Sequence, residues 1–190
     1  MDIAATLRSY DGKRVAPFRA VAEAVRDAPE SAVDLLVDIA ASDEMELQVG
    51  ATWVLKHLAE QGVAPRGRNA AALLSLLGRP IAPDALLHIL QTLPHMHLDA
   101  DGLGGLRDAL LTLTGSKRTF IRTWAYNGLG VLAARDPSLR PEVERLFDQA
   151  VKTDSAAVKV RIRHARSAMA RCRRGQADAS PEEIPGRSGR

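Results

Sequence analysis

The sequence predicts an all-α protein made of short helix hairpins, and three observations favour this class. Apolar residues recur at helical spacing along almost the whole chain of 190 residues, and no segment shows the strict alternation of a half-buried strand. Only seven residues are aromatic, whereas Ala, Leu and Val are abundant, which favours helices over sheets. Turn-rich breaks interrupt the pattern at short intervals. Together these features predict about ten helices joined by short connections.

In the first half of the chain, apolar stripes repeat at i, i+3, i+4 and i+7, as amphipathic helices require. One stripe begins at Phe18, a second follows Pro29, a third lies between Ser42 and Gly62, and a fourth follows Pro83. Their apolar positions are Phe18, Val21, Ala22, Val25, Leu35, Leu36, Ile39, Leu47, Ala51, Val54, Leu55, Leu58, Leu86, Leu90 and Leu93. Each proline lies beside or just inside a helix start, where its missing N–H breaks no hydrogen bond.

Four further stripes follow in the second half. The first comes after Asp101, a good N-cap residue, and the last comes after Asp154 and Ser155. Their apolar positions are Leu103, Leu106, Ala109, Leu110, Leu113, Ile121, Trp124, Ala125, Leu129, Leu132, Leu139, Val143, Leu146, Ala150, Val158, Ile162, Ala165, Met169 and Cys172. Residues 175–190 are small, polar and rich in Pro and Gly, so they cannot bury enough apolar surface to order themselves. We expect a helical domain over 1–174 and a flexible polar tail over 175–190.

The stripes repeat along the chain. A small residue followed four positions later by a large apolar one occurs at Ala51, Ala125 and Ala165, and these positions lie 74 and then 40 residues apart. A unit of about 37–40 residues holds two such helices. One hairpin cannot bury its own apolar face, so neighbouring hairpins must stack.

The two segments that carry this pattern most clearly are residues 120–130 (FIRTWAYNGLG) and 47–55 (LQVGATWVL). In these segments the chain resembles the HEAT-repeat family of the armadillo-like superfamily, whose second helix has an aliphatic residue, often a base, then a small residue and a Leu. Arg122 stands at the basic position in one segment and Gln48 in the other. The resemblance covers roughly residues 2–174 and implies a right-handed α-solenoid of about five antiparallel hairpins, whose second helices line a concave surface.

Composition excludes several classes of protein. The single cysteine rules out an intramolecular disulfide scaffold and a Cys-rich zinc module. No apolar run approaches the roughly 20 residues that span a bilayer, and the N-terminus lacks the apolar stretch of an export signal. We therefore expect a cytoplasmic protein with no membrane partner, no cofactor and no metal. The charged last helix should block end-to-end stacking, so we also expect a monomer.

Charge is distributed unevenly. Residues 155–174 carry seven basic residues and no acid, whereas the whole chain has a net charge of +3. On this helix Lys159, Arg163 and Arg166 share one arc of the surface. In a HEAT-like stack, Arg118, Arg122 and Tyr126 on the preceding second helix would adjoin them. We predict that these six residues form a binding patch for an anionic partner; the alternative is a solvated basic cap favoured by the helix dipole.

Other groupings are weak candidates for chemistry. His97, Asp99, Asp101, Gly102 and Asp108 match a calcium loop in part, but a histidine in the first position and an aspartate in the last do not suit calcium. The neighbouring pair at 95 and 97 could belong to a zinc site. Cys172 lies in an apolar stripe, so we expect a buried thiol and no nucleophile. A structural N-cap role for the acids explains this loop equally well.

These features lead to two hypotheses of function. The first is a non-enzymatic scaffold that uses a concave, partly basic surface to bind an acidic protein or peptide partner. The second is a nucleic-acid-binding protein similar to the DNA alkylation repeat enzymes, for which Trp124, Tyr126, Arg163 and Arg166 are available. Gly128 stands one turn after Trp124 where an acid would be needed, so no catalytic carboxylate can be assigned. An enzyme is therefore the less favoured interpretation.

Overall fold

The structure is a computed structural model that describes residues 1–98 and 103–178, with side chains through residue 172 except at 103 and 104. Within these ranges the chain forms ten α-helices and no strand, which confirms the predicted all-α class. The helices are α1 (Ile3–Arg8), α2 (Ala16–Ala24), α3 (Pro29–Ala40), α4 (Met45–Glu60), α5 (Gly67–Ser75), α6 (Pro83–Thr92), α7 (Leu103–Thr114), α8 (Thr119–Arg135), α9 (Arg140–Thr153) and α10 (Ala156–Asp178).

The even-numbered helices pack in succession. Helix α2 contacts α4, α4 contacts α6, α6 contacts α8, and α8 makes its most extensive contact with α10. We call these five helices the even-helix row. Helices α3, α7 and α9 lie against α4, α8 and α10, and α5 contacts α3 and α7. The candidate binding surface lies on this row.

The predicted stripes form the core. In α4 all five predicted positions, Leu47, Ala51, Val54, Leu55 and Leu58, are buried, as the helical spacing requires. The first stripe is confirmed in α2, where Phe18 and Val21 are fully buried. Exceptions occur at stripe edges: Leu35 is 46% exposed while its neighbour Leu36 is fully buried. Helices α1 and α5 lie where the sequence shows no separate stripe.

Two glycines of α8 allow neighbouring helices to approach closely. A Cβ atom at Gly130 would lie 2.7 Å from the Cβ of Ala165 in α10, and one at Gly128 would lie 2.7 Å from Leu110 of α7. Real Cβ atoms do not come this close to other heavy atoms. The absence of side chains at these positions therefore sets the separation of α8 from α7 and α10.

Three expectations need correction or lie outside the described residues. Cys172 is exposed and not buried, because the apolar stripe of α10 ends at Met169. Helix α10 continues to Asp178, so it passes the predicted boundary at 174; residues 179–190 of the predicted tail lie outside the described residues. The proposed N-cap Asp101 and most of the calcium-loop candidate also lie outside them. Among the described residues, no helix has the length and hydropathy needed to span a bilayer.

Candidate binding surface

Arg122 and Tyr126, two residues of the predicted patch, face α9 and its C-terminal turn. The Arg122 guanidinium donates two hydrogen bonds to the Asp154 carboxylate, at 3.0 and 3.2 Å, and a third to the backbone oxygen of Ser116. These hydrogen bonds hold the pKa of Asp154 below its usual range. Tyr126 packs edge-on against Phe147, with ring centroids 6.2 Å apart, and burial raises its pKa.

Arg166 also turns toward α9. Its Nε and Nη2 atoms donate to Glu144 and Asp148, each at 2.7 Å, and its guanidinium lies 5.7 Å from the centroid of Phe147. Arg166 and Tyr126 thus meet at the same aromatic ring. Three carboxylates neutralise Arg122 and Arg166, so this side of α8 and α10 presents far less positive charge than the sequence predicts.

The other three predicted residues are more accessible. Arg118 caps the start of α8 and is exposed, Arg163 is exposed, and Lys159 is half-buried. None of the three forms an ion pair within the described ranges. The structure therefore brings together Arg122, Tyr126 and Arg166 around α9, while Arg118, Lys159 and Arg163 form no side-chain hydrogen bond or ion pair with them. Partner binding by the six residues stays a prediction.

An open depression lies on the opposite faces of α8 and α10. Its volume is about 370 Å³, and it extends across the row from the end of α4 to α10. Its lining residues are Glu60, Gln91, Pro94, His95, Trp124, Asn127, Val131, Arg161, His164, Ala168 and Arg171. We call it the Trp124 depression. Arg161 and Trp124 define one wall, because the guanidinium carbon lies 4.0 Å from the centroid of the indole ring.

A second depression, of about 500 Å³, lies between α2 and α4. We call it the Trp53 depression; it is lined by Arg19, Ala22, Glu23, Arg26, Trp53, Lys56, His57, Glu60 and Gln61. The His57 ring stacks on Trp53 with centroids 5.2 Å apart, and Lys56 Nζ lies 5.9 Å from the indole centroid. Each depression therefore has a half-buried tryptophan covered by a cation. Glu60 lines both depressions.

Cationic side chains outnumber carboxylates along the two depressions. Glu23 pairs with Arg26, and Glu60 pairs with Lys56 at 3.1 Å. Arg19, Arg161 and Arg171 form no ion pair in the part of the chain that the structure describes. A guanidinium without a carboxylate partner is suited to a carboxylate or phosphate from another molecule. The row thus offers separate anion-binding groups beside half-buried aromatic rings.

The helical pattern alone did not identify this surface. Trp124 was placed in an apolar stripe and Arg161 was not assigned to the patch, although the two residues face each other. The missed signal was the shared spacing of Arg161, His164, Ala168 and Arg171, which places them on one face of α10. Phe120, one turn before Trp124, is 69% exposed and adds apolar surface to α8.

His88 lies below this surface, between α4 and α6. Its Nδ1 atom is 3.2 Å from Thr52 Oγ1, and that hydroxyl donates its hydrogen to the backbone oxygen of Gln48 at 2.7 Å. With the Thr52 hydrogen directed at the Gln48 oxygen, the tautomer that fits has its hydrogen on Nδ1 and donates it to Thr52. Burial, reinforced by the charge of Lys56, lowers the pKa of His88 to about 4. The histidine is neutral near pH 7 and joins the two helices.

No group of three or more His, Cys, Asp or Glu residues is placed to hold a metal ion within residues 1–98 and 103–178. His95 and His97, the zinc candidates, are both exposed. The geometry of the described surface is that of an open face with cations and aromatic rings, which is suited to binding an extended anionic molecule.

Comparisons with known proteins bear on the fold. No family model matches the chain, and no curated protein matches it in sequence. Two crystal structures of engineered proteins from the Northeast Structural Genomics Consortium are similar in fold. The first has a TM-score of 0.63 and 16% identity over 90% of this chain and 78% of the other. The second has a TM-score of 0.61 and 16% identity over 88% and 79%. This likeness concerns the fold alone.

Proposed function

We propose that this chain is a non-enzymatic interaction module that binds an acidic segment of a partner protein along the even-helix row. Its architecture in this proposal is a HEAT-like, right-handed α-solenoid of about five hairpins, with the row as the concave, partly basic surface. The observation that carries the proposal is the set of arginines on this face that form no ion pair with any described residue, with Arg161 held against Trp124.

Six of the polar contacts between helices or their flanking turns support a repeating architecture, because they recur at nearly constant sequence separation; the Arg166 pairs with Glu144 and Asp148, at 22 and 18 residues, do not follow it. The six pairs are Arg8–Glu44 at 36 residues, Asn69–Asp34 at 35, Gln48–Ala82 at 34, Thr52–His88 at 36, Arg107–Glu142 at 35 and Arg122–Asp154 at 32. Stacked repeats bring equivalent positions of neighbouring units together. The separations favour a unit slightly shorter than the 37–40 residues that the sequence indicates.

The side chains that lie over the two tryptophan rings favour a peptide partner. Arg161 covers one side of Trp124, and His57 is stacked on Trp53. One face of each indole is therefore already occupied, whereas the edge of the Arg161 guanidinium is available for hydrogen bonds to a carboxylate. Carboxylate recognition by a guanidinium that an aromatic ring holds in place loses little side-chain entropy on binding.

A binding measurement with a defined probe tests the proposal. A fluorescein-labelled polyglutamate peptide of about twelve residues, which spans the row at about 3.3 Å per residue, is titrated with the full chain and followed by anisotropy. We expect it to bind, and a Gly/Ser peptide of equal length not to bind. Arg161→Glu with Arg171→Glu should weaken binding roughly tenfold or more.

The control pair, Arg14→Glu with Arg145→Glu, makes the same change in net charge at two exposed positions outside both depressions. We expect it to weaken binding by less than about twofold at physiological salt, where distant charges are screened. Equal losses in the two double variants would reject the even-helix row as the binding surface. Failure of the acidic peptide to bind at all would reject the proposed function.

Nucleic acid is the second candidate, because the depressions combine cations with aromatic side chains, as surfaces that bind single strands do. In that case a labelled oligodeoxythymidine should bind at low salt and dissociate steeply as salt is added. The covered indole faces argue against base stacking as the main source of affinity. The proposed monomer is checked by sedimentation velocity of the full chain, and the proposed cytoplasmic location by cell fractionation.

A further inference from the structure

Among the described residues, the cations of the two depressions that form no ion pair lie on the first and last helices of the even-helix row. Arg19 is on α2, in the Trp53 depression, whereas Arg161 and Arg171 are on α10, in the Trp124 depression. The cations nearer the middle are already neutralised, since Lys56 pairs with Glu60 and Arg26 with Glu23. Positive charge available to a partner is therefore divided between two separate places.

Glu60 separates the two places. It is the last residue of α4, it is exposed, and its carboxylate lines both depressions. A partner carboxylate near this point would find no net positive charge, because Glu60 and Lys56 neutralise each other. Carboxylates at the centre of a segment that is acidic throughout would thus lose hydration without gaining a cation as partner.

We propose that the row recognises a bipartite segment, with one acidic cluster at each depression and a neutral stretch over Glu60. This inference rests on the proposed function. The inference adds a charge pattern to that function, because a partner with the same net negative charge but without two separate clusters would not match both depressions. Binding of the two clusters is then coupled, since the first contact raises the effective concentration of the second cluster at its site.

The length of the neutral stretch follows from helix packing. From α2 to α10 there are four steps between adjacent helices of about 8–10 Å each, so the path along the row is at most about 40 Å. The straight distance is shorter, because Glu60 of α4 and Arg171 of α10 line the same depression. At about 3.3 Å per residue, an extended peptide covers this path in no more than about twelve residues. Two clusters of three acids with about six neutral residues between them fit this span.

A series of labelled peptides tests the inference on the full chain. Each peptide has two Glu₃ blocks joined by a Gly/Ser linker of about two, six or twenty residues, and a further peptide has one Glu₃ block only. We expect the six-residue linker to bind at least about fivefold tighter than the single block and tighter than the twenty-residue linker, because a longer linker lowers the effective concentration.

Variants at each end should remove this advantage. Arg19→Gln, or Arg161→Gln with Arg171→Gln, should each reduce the affinity for the six-residue peptide to about that of the single block and abolish the dependence on linker length. Arg14→Gln with Arg145→Gln is the control and should retain it. Glu60→Gln should strengthen binding of a continuous polyglutamate peptide more than binding of the six-residue peptide, whose neutral linker lies over this position.

The outcomes separate the two proposals. If affinity follows only the number of glutamates, with no dependence on linker length, the bipartite pattern is wrong while the proposed function stands. The same conclusion follows if Glu60→Gln has equal effects on both peptides. If none of the acidic peptides binds, the proposed function itself fails.

Discussion

Burial of His88 makes the stability of the molecule dependent on pH. The folded pKa is about 4, below the ordinary 6.5 of histidine, and its main cause is burial. Above pH 6.5 the residue is neutral in both the folded and the unfolded chain. As the pH falls from 6.5 to 4, the unfolded chain takes up the proton first, so the free energy of unfolding decreases, by up to about 3 kcal/mol.

We predict that His88→Gln, which keeps a hydrogen-bond donor but does not titrate, reduces this loss. Urea unfolding of the wild type and the variant at pH 7.5 and pH 4.5 measures how much unfolding free energy each protein loses between the two pH values. Other groups titrate alike in both proteins, so the difference between the two losses reports His88. His97→Gln, at an exposed position, should behave like the wild type. Identical losses in wild type and His88→Gln would contradict the assignment.

Gln48 and Arg122 occupy equivalent positions in the two segments that carry the repeated pattern, and they have similar structural roles. The sequence places both at the often basic position of the second helix. In the structure Gln48 accepts a hydrogen bond from the backbone N–H of Ala82, just before α6, and Arg122 binds Asp154, just before α10. Each side chain thus joins its helix to the turn that begins the next helix of the row. Sequence reasoning identified the position but interpreted Arg122 as a binding group, because the partner Asp154 lies 32 residues away.

At the scale of elements, the stripes of α4 and α10 were predictable because one face of each helix is apolar. The orientation of α8 about its axis could not be predicted, because two of its faces carry both an aromatic and a polar side chain. Arg122 and Tyr126 lie on one face, and Trp124 and Asn127 lie on the other. Which of them lies on the open surface depends on where α9 packs. Periodicity within one helix contains no information about that choice.

A substitution at Gly130 tests the packing of α8 on α10. Gly130→Ala places a methyl group 2.7 Å from Ala165 Cβ, so the helices must move apart, and we expect a loss of about 1–3 kcal/mol in the free energy of unfolding. The matched control is Gly105→Ala in α7, where a Cβ has no neighbour within 4 Å. That change should stabilise the chain by about 0.5–1 kcal/mol through helix propensity.

Chemical denaturation monitored by circular dichroism gives both values. Because the Trp124 depression is lined by α8 and α10, Gly130→Ala should also weaken binding of the acidic peptide, whereas Gly105→Ala should not. A Gly130→Ala protein as stable as the wild type would show that α8 and α10 are not in the close contact described here.

At the scale of the whole molecule, the all-α class and most helices followed from the sequence, because helical periodicity is a local property. The location of the open surface could not be predicted from the sequence, because it depends on contacts between residues about 35 positions apart. The net charge of +3 was also a poor guide, because it does not show which cations are paired: Arg122 and Arg166 bind carboxylates of the chain itself.

In the proposed function an acidic partner binds the face carrying Trp53 and Trp124, and not the α9 side that holds Arg122, Tyr126 and Arg166. The most direct test is a heteronuclear NMR titration of the ¹⁵N-labelled chain with the two-block glutamate peptide. We predict the largest shifts for the two indole N–H signals and for the backbone amides of Arg161 and His164. Shifts confined to the amides of Arg122, Tyr126 and Arg166, with both indole signals unmoved, would contradict the account.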